Sequence, residues 1–411
     1  MPQTSYDKAN MRIVLLEGVH RHAEARLRAD GYTNVTSIPG ALSAAELAQA
    51  VRDAHVIGIR SRSQLNAEVL AEASRLMAIG CFCIGTNQVD VDQARVLGIP
   101  VFNAPFSNTR SVAELVLAEA ILLLRGIPAK DGLLKQGVWA KSASNAFEIR
   151  GKTLGVIGYG NIGSQLGVMA ESLGMQILAY DIVKKLVLGN ARQVGSLEEL
   201  LETSDVVTLH VPATPQTENL IGARELAVMK QSAVLINASR GNVVDLDALA
   251  AALRGNALLG AAIDVYPREP RSNASGDSFE TPLHGCPNVI LTPHIGGSTL
   301  EAQENIAIEV AEKLLRYCDN GSTLSAVNFP EVALPEHTDK HRLLHIHRNE
   351  PGVLSQVNAA IADSGVNIAA QYLQTHADVG YVVMDVDSDY SSGALDRLRS
   401  INATIRSRVL F

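Results

Sequence analysis

The chain is poor in cysteine, in net positive charge and in long apolar runs, and each shortage narrows what it can be. Four cysteines, Cys81, Cys83, Cys286 and Cys318, in 411 residues are too few for a disulfide framework. Their spacing fits no zinc site, so a reduced, cytosolic protein without a resident metal is expected. Lys and Arg number 35 against 43 Asp and Glu, a net charge of −8. No global basic field exists to hold nucleic acid or an acidic membrane, and any anionic ligand needs local Arg or Lys. The most apolar helix candidate, Leu115 to Leu124, is interrupted by Glu119 and flanked by Arg125, and residues 1–12 lack the apolar stretch of a secretion signal. Neither a membrane span nor export is expected, and no short repeat or low-complexity tract is present.

What the chain does have is enough apolar content, 47%, to build two or three domains at roughly 150 residues each. Short runs rich in Val and Ile alternate with stretches of helical spacing, the pattern of parallel α/β units. Buried strands are predicted at Ile13 to Leu16, Val56 to Ile59, Leu154 to Ile157, Ile177 to Tyr180, Val206 to Val211, Val234 to Ile236, Ala261 to Val265 and Val289 to Leu291. Ser43, Ser111, Ser196 and Ser298 each precede a glutamate by three positions (Glu46, Glu114, Glu199, Glu301), which predicts reciprocally capped helix starts. Cys81 and Cys83 read as packing residues of one further strand. A first boundary is placed near Asn108 to Ser111. Residues 328–342, with two prolines and mixed charge, read as a linker. The remainder, from Leu343, has its own order of strand, Pro351-Gly352 turn, helix and two strands, a small separate α+β domain.

The strongest motif is Gly158-Tyr-Gly160-Asn161-Ile162-Gly163, which follows an apolar strand and opens a helical run. A second strand then ends at Tyr180 with Asp181 next. Gly158 permits the tight turn, Gly160 lets backbone approach a pyrophosphate, and Gly163 lets helix and strand pack closely. The phosphates would sit at the helix N-terminus, and Asp181 would accept from a ribose diol while repelling a 2′-phosphate, so NAD is favoured over NADP. Three later loops each place one reactive residue after a strand: Arg240, Glu269 and His294. Singly each reads as a solvated loop residue. Together they supply a cation for a carboxylate, a base for a hydroxyl proton and an acid to orient that base, the needs of hydride transfer from an alcohol.

The fingerprint, Ala238-Ser239-Arg240-Gly241, the Glu269 loop and Pro293-His294-Ile295-Gly296-Gly297 resemble the D-2-hydroxyacid dehydrogenase family, in that order. Arg60-Ser61-Arg62, Ile79 to Asn87 and Asn103 to Glu114 resemble its members that act on a phosphorylated acid, and the tail from Leu343 resembles an ACT regulatory domain. The resemblance implies two doubly wound α/β domains plus a small α+β ACT domain. It makes the substrate-binding domain discontinuous, 11–108 and 298–329, around a Rossmann domain at 109–297, with a linker at 330–342 and the ACT domain at 343–411. The run Glu301 to Arg316 would be a helix closing back onto the first domain, and Gly296-Gly297 a hinge.

The resemblance also implies an activity, NAD-dependent oxidation of 3-phospho-D-glycerate to 3-phosphooxypyruvate, which opens L-serine biosynthesis. Arg240 would bind the substrate carboxylate, His294 would take the C2 hydroxyl proton, and Glu269 would hold the imidazole. Asp264 would line the nicotinamide side, and Ala238 and Ser239 would approach the cofactor through backbone. Arg60, Ser61, Arg62 and Asn108 would face the distal phosphate, with Trp139 and Lys141 as candidates from a neighbouring subunit of a homo-oligomer, a tetramer by resemblance. Arg suits a phosphate through its two-pronged donation. His347, Asn349 and Asn367 would bind L-serine as a feedback effector, although the linker carries Glu336-His337-Thr338-Asp339 where serine-sensitive relatives often have Gly-Gly. Other readings stay open: a glyoxylate or hydroxypyruvate reductase, a 2-hydroxyglutarate dehydrogenase side activity, or an NAD-sensing co-repressor-like protein.

Overall fold

Three sheets organise the chain. The computed structural model describes residues 7–270, 278–336, 341–387 and 391–410, and these form two compact units, residues 1–107 with 303–411, and residues 108–302.

The first unit opens with a parallel sheet of β1 (Ile13–Leu15), β2 (Val35–Ser37), β3 (Val56–Ile59), β4 (Ala78–Cys81) and β5 (Val101–Phe102), in the order β2-β1-β3-β4-β5. Both faces are covered, which is why these strands are continuous apolar runs rather than alternating ones. Ile13, Leu15, Val56 and Phe102 pack on one side with Ala23 and Leu27 of α1 (Arg21–Ala29) and with Ile306, Val310 and Leu314 of the long α11 (Leu300–Asn320). The amphipathic stretch after residue 300 is therefore part of this sheet's core. On the other side Val14, Ile57 and Ile79 pack with Leu47 and Val51 of α2 (Ala44–Asp53) and with Val69 and Leu70 of α3 (Ala67–Ala71).

The second unit holds a seven-stranded parallel sheet: β6 (Thr153–Ile157), β7 (Gln176–Tyr180), β8 (Arg192–Gln193), β9 (Val206–Leu209), β10 (Val234–Asn237), β11 (Gly260–Ile263) and β12 (Val289–Leu291), ordered β12-β11-β10-β9-β6-β7-β8. Val234 and Ile236 face α5 (Thr109–Leu124) and α7 (Asn161–Ser172), while Leu235 between them faces the opposite layer with Leu249 and Leu253 of α10 (Leu246–Arg254).

The C-terminal sheet, back in the first unit, is antiparallel: β13 (His341–Arg348), β14 (Ile368–His376), β15 (Val379–Val386) and β16 (Thr404–Leu410), ordered β14-β15-β13-β16. One face carries α12 (Val353–Ala362) and α13 (Ser391–Ser400), whose Val357, Ile361 and Leu398 meet Val382 and Met384. This helix and last strand extend the predicted order of elements. Among the described residues no helix is long and apolar enough to cross a membrane.

Five local readings change. Ser43 and Glu46 do form a reciprocal cap, but Ser111 lies inside α5, whose N-cap is Asn108, and its hydroxyl meets Thr299. At Ser196 the cap is one-sided: its hydroxyl accepts from Glu199 N–H, while the Glu199 carboxylate accepts from Gly195 N–H. Ser298 gives way to Thr299, which accepts from Ala302 N–H at 3.2 Å. Cys83 lies beyond β4, and its thiol faces Gly85 O at 3.2 Å, the nearer acceptor, and Arg60 O at 3.6 Å. The linker is not loose at its start: Phe329 and Val332 pack under Leu344, Tyr381 and Val383 on the face of the C-terminal sheet opposite α12 and α13. His337, Thr338 and Asp339 lie outside the described residues.

Candidate active site

In the second unit the strand order reverses between β9 and β6, and open parallel sheets bind ligands at the carboxyl ends of their strands at such a point. The fingerprint leaves β6 there. Gly158 has φ +89°, and a Cβ on it would run into the carbonyl of His210 at the end of β9. A Cβ on Gly163 would meet the Gly158 carbonyl, whereas at Gly160 it would meet nothing within 4 Å. Gly160 is the N-cap of the twelve-residue α7 and offers no side-chain cap, so the helix's first N–H groups, including those of Asn161, Ile162 and Gly163, stay available to phosphate. Asp181 directly follows β7 and accepts from Tyr159 N–H at 3.0 Å and Val183 N–H at 3.1 Å, which fixes a carboxylate beside the glycine loop. The open space over Gly160, the uncapped helix and the fixed acid fit a dinucleotide.

The reactive loops follow β10, β11 and β12. Asn237 shapes the first: its Oδ1 accepts from Ser239 N–H and Oγ, and its amide donates to the Arg240 carbonyl. Arg240 Nη1 in turn donates to Ser239 O at 2.6 Å. Ala238 is half-buried and Ser239 buried. A Cβ on Gly241 would fall on the backbone of Tyr266 and Pro267, so the Arg240 loop lies directly against the Glu269 loop. Tyr266 N–H donates to Glu269 Oε1 at 3.1 Å, leaving Oε2 to pair with His294 Nδ1 at 2.8 Å.

His294 is half-exposed and sits at φ +55°, a strained value for a residue with a side chain. Its loop is held by Asp264, only 2% exposed, whose Oδ1 accepts from Thr292 Oγ1 and Ile295 N–H and whose Oδ2 accepts from Gly296 N–H, each within 2.8 Å. Asp264 thus works inside the protein, as the anchor of the His294-Ile295-Gly296 turn.

Electrostatics follow from these contacts. The hydrogen bond to Glu269 outweighs burial and raises the His294 pKa, with the charges of Glu269 and Asp264 adding to it and Arg240 opposing. Burial disfavours the Glu269 carboxylate, but the bond and charge of His294, the Tyr266 N–H and Arg240 hold it below the usual range. A basic imidazole is oriented by an ionised acid, with a guanidinium close by, and this arrangement can move a proton to or from a hydroxyl or carbonyl oxygen.

The remaining expected residues are placed as follows. In the first unit, Arg60, Ser61 and Arg62 form the loop after β3, and among the described residues no ion pair or hydrogen bond engages either guanidinium. Asn108, in the second unit, is buried as the N-cap of α5, and its Oδ1 lacks a partner. Trp139 is 80% exposed and Lys141 is exposed, on the segment after α6 (Ile127–Lys135). In the C-terminal sheet the His347 ring is buried over Gly380, while Asn349 and Asn367 are exposed. Among the described residues no cluster of three potential metal ligands occurs.

Two titratable groups of the second unit were passed over in the sequence. Glu119, on α5, is 2% exposed with neither oxygen hydrogen-bonded, and burial beside Asp264 pushes its pKa up to about 8. Its signal was a lone acid in an apolar helix. The half-buried His210 has its pKa pushed down to about 4 by desolvation of its ring, with Nε2 next to Thr208 Oγ1 at 3.1 Å.

Comparison with known proteins gives this geometry its relatives. Residues 117–296 match the family model described as D-isomer specific 2-hydroxyacid dehydrogenase, NAD binding domain, and residues 343–406 match an AHAS small subunit-like ACT domain. The chain is 58% identical to the D-3-phosphoglycerate dehydrogenases of Haemophilus influenzae (100% of this chain, 99% of the relative) and Escherichia coli K12 (100% of each). Among solved structures it is similar to a D-lactate dehydrogenase from Aquifex aeolicus complexed with NAD and lactic acid, at 27% identity and TM-score 0.68, over 78% of this chain and 100% of that one. With the dinucleotide loop, the Arg240, Glu269 and His294 loops and the C-terminal α+β sheet all matched in chain order, the chain belongs to the D-3-phosphoglycerate dehydrogenases, within the D-isomer specific 2-hydroxyacid dehydrogenase family.

Proposed function

We propose that this chain oxidises 3-phospho-D-glycerate to 3-phosphooxypyruvate with NAD, the reaction that opens L-serine biosynthesis. What carries the reading is the 2.8 Å pair of His294 and Glu269 against the Arg240 loop, on the same sheet edge as the dinucleotide fingerprint. Bound NAD supplies the hydride acceptor. Arg240 holds the substrate carboxylate and polarises the C2 oxygen. His294 removes the C2 hydroxyl proton, and Glu269 stabilises the imidazolium that results. Asp264 keeps the His294 turn in its strained conformation, so the imidazole is presented in one orientation. The phosphate is assigned to Arg60 and Arg62, supported by their unengaged guanidiniums, with Ser61 and Asn108 as neutral donors.

The same reading divides the chain into the discontinuous substrate domain, the NAD domain and the ACT domain with the boundaries given above. It makes L-serine the effector, at His347, Asn349 and Asn367, and a homo-oligomer the working form, with Trp139 and Lys141 acting across subunits in a reducing, cytosolic compartment. A substrate series tests it: with NADH, the purified protein should reduce 3-phosphooxypyruvate at least tenfold more efficiently than hydroxypyruvate or glyoxylate. Arg60→Ala should then raise the KM for the phosphorylated acid. Equal efficiency on all three acids would make it a reductase of unphosphorylated substrates instead.

A further inference from the structure

The first sheet has its own reversal of strand order, between β1 and β3, the position where open parallel sheets receive a ligand. The loop after β3 is Arg60-Ser61-Arg62-Ser63, and its backbone N–H groups form a concavity suited to an anion. That concavity is already filled. Glu17, two residues beyond β1 and 8% exposed, places its carboxylate there. Oε1 accepts from Arg60 N–H at 3.2 Å and Ser63 N–H at 2.9 Å, and Oε2 accepts from Arg62 N–H at 2.9 Å. Glu17 adopts φ +62° to reach this position, which few residues with side chains do. A second side chain fixes the carbonyl of the same residue, Gln88 Nε2 donating to Arg60 O at 2.6 Å.

A carboxylate beneath a loop expected to receive a phosphate looks unfavourable until its geometry is considered. It draws on backbone donors alone and leaves both guanidiniums unengaged among the described residues. The loop is therefore rigid at the backbone while its charges remain available, the arrangement in which a charged clamp loses least freedom on binding. We propose that Glu17 is the positioning residue of the phosphate clamp: an internal anion that occupies the backbone N–H cradle, fixes the loop, and leaves phosphate recognition to the side chains of Arg60 and Arg62. The inference rests on the substrate reading above and deepens it.

The test is a comparison of wild type with Glu17→Gln in steady-state reduction by NADH of 3-phosphooxypyruvate and of hydroxypyruvate. Glutamine keeps the shape but sets an amide N–H₂ against one of the three backbone donors. The variant should raise the KM for the phosphorylated acid at least tenfold with a much smaller change in kcat, and the ratio of kcat/KM between the two acids should fall by a similar factor. Glu17→Asp, which retains the charge and shortens the reach, should move that ratio in the same direction by a smaller factor, and it decides the matter if the glutamine variant is recovered unfolded. A uniform loss on both acids, or a ratio within twofold of wild type in a folded variant, overturns the proposal and leaves Glu17 a purely structural residue. If wild type itself shows no preference for the phosphorylated acid, it is the substrate reading that fails.

Discussion

Glu119→Gln should change how stability depends on pH, and the effect can be measured without substrate. The Glu119 carboxyl is raised from 4.5 to about 8, chiefly by burial and then by the charge of Asp264, and neither oxygen has a hydrogen-bond partner. Tyr266, whose own pKa is pushed up to about 12, is the other titratable group this carboxyl acts on. Between the two Glu119 values the unfolded chain has lost the proton and the folded chain keeps it. The folded state then binds more protons, so stability is full below the unfolded value and is lost as pH rises through the folded one. The slope is about 1.4 kcal/mol per pH unit, or roughly 3–4 kcal/mol between pH 5 and pH 8. Glutamine stays neutral throughout. Its extra N–H donors add a penalty of about 1–3 kcal/mol, but a constant one. The difference in Tm between variant and parent, followed in matched ionic strength from pH 5 to pH 8, should therefore climb in favour of the variant by about 10 °C, at 2–4 °C per kcal/mol for a unit of this size. Parallel Tm curves would show that Glu119 is ionised in the folded protein, and the reasoning from burial would fail.

Three further outcomes follow from the site. Oxidation needs a neutral His294, so its kcat/KM should fall as pH drops through the raised His294 value. Glu269→Gln removes the main cause of that rise and should move the acid limb to lower pH; an unmoved limb in the pH profile would assign it to another group. Gly241→Ala places a methyl on the backbone of Tyr266 and Pro267, so it should separate the Arg240 and Glu269 loops and lower kcat by roughly tenfold or more, while NADH titration by fluorescence shows little change. Gly163→Ala meets the Gly158 carbonyl and should do the reverse, weakening NADH binding in the same titration.

The parallel sheets were legible because strands buried on both faces must be apolar throughout, as at Val56 to Ile59 and Val234 to Ile236. The two-residue strands Val101–Phe102 and Arg192–Gln193 carry no such run. The last strand, Thr404–Leu410, alternates Arg406 and Arg408 with Ile405 and Val409, so its apolar content reads as surface. Ser111 misled because the N-cap position falls at Asn108, a capping residue type three positions earlier whose side chain makes no cap bond. At the site, Arg240, Glu269 and His294 could be found because each lies in a loop of distinctive neighbours after a strand. Glu119 showed only as a lone acid in an apolar helix, and Glu17 and Gln88 not at all. The parts of Glu17 and Gln88 depend on burial and on backbone groups up to 46 positions away, as between Glu17 and Ser63, and no local spacing encodes that.

The central claim is that His294, paired with Glu269, moves the proton that accompanies hydride transfer to a phosphorylated 2-oxo acid. A single-turnover experiment tests it most directly: enzyme loaded with NADH is mixed with 3-phosphooxypyruvate, and loss of NADH absorbance is followed in wild type and His294→Ala. Wild type should consume its bound NADH, and the variant should bind NADH yet consume it at least about a hundredfold more slowly. A wild-type protein that binds NADH and leaves it unoxidised would be a nucleotide sensor, and a variant as fast as wild type would remove His294 from the mechanism.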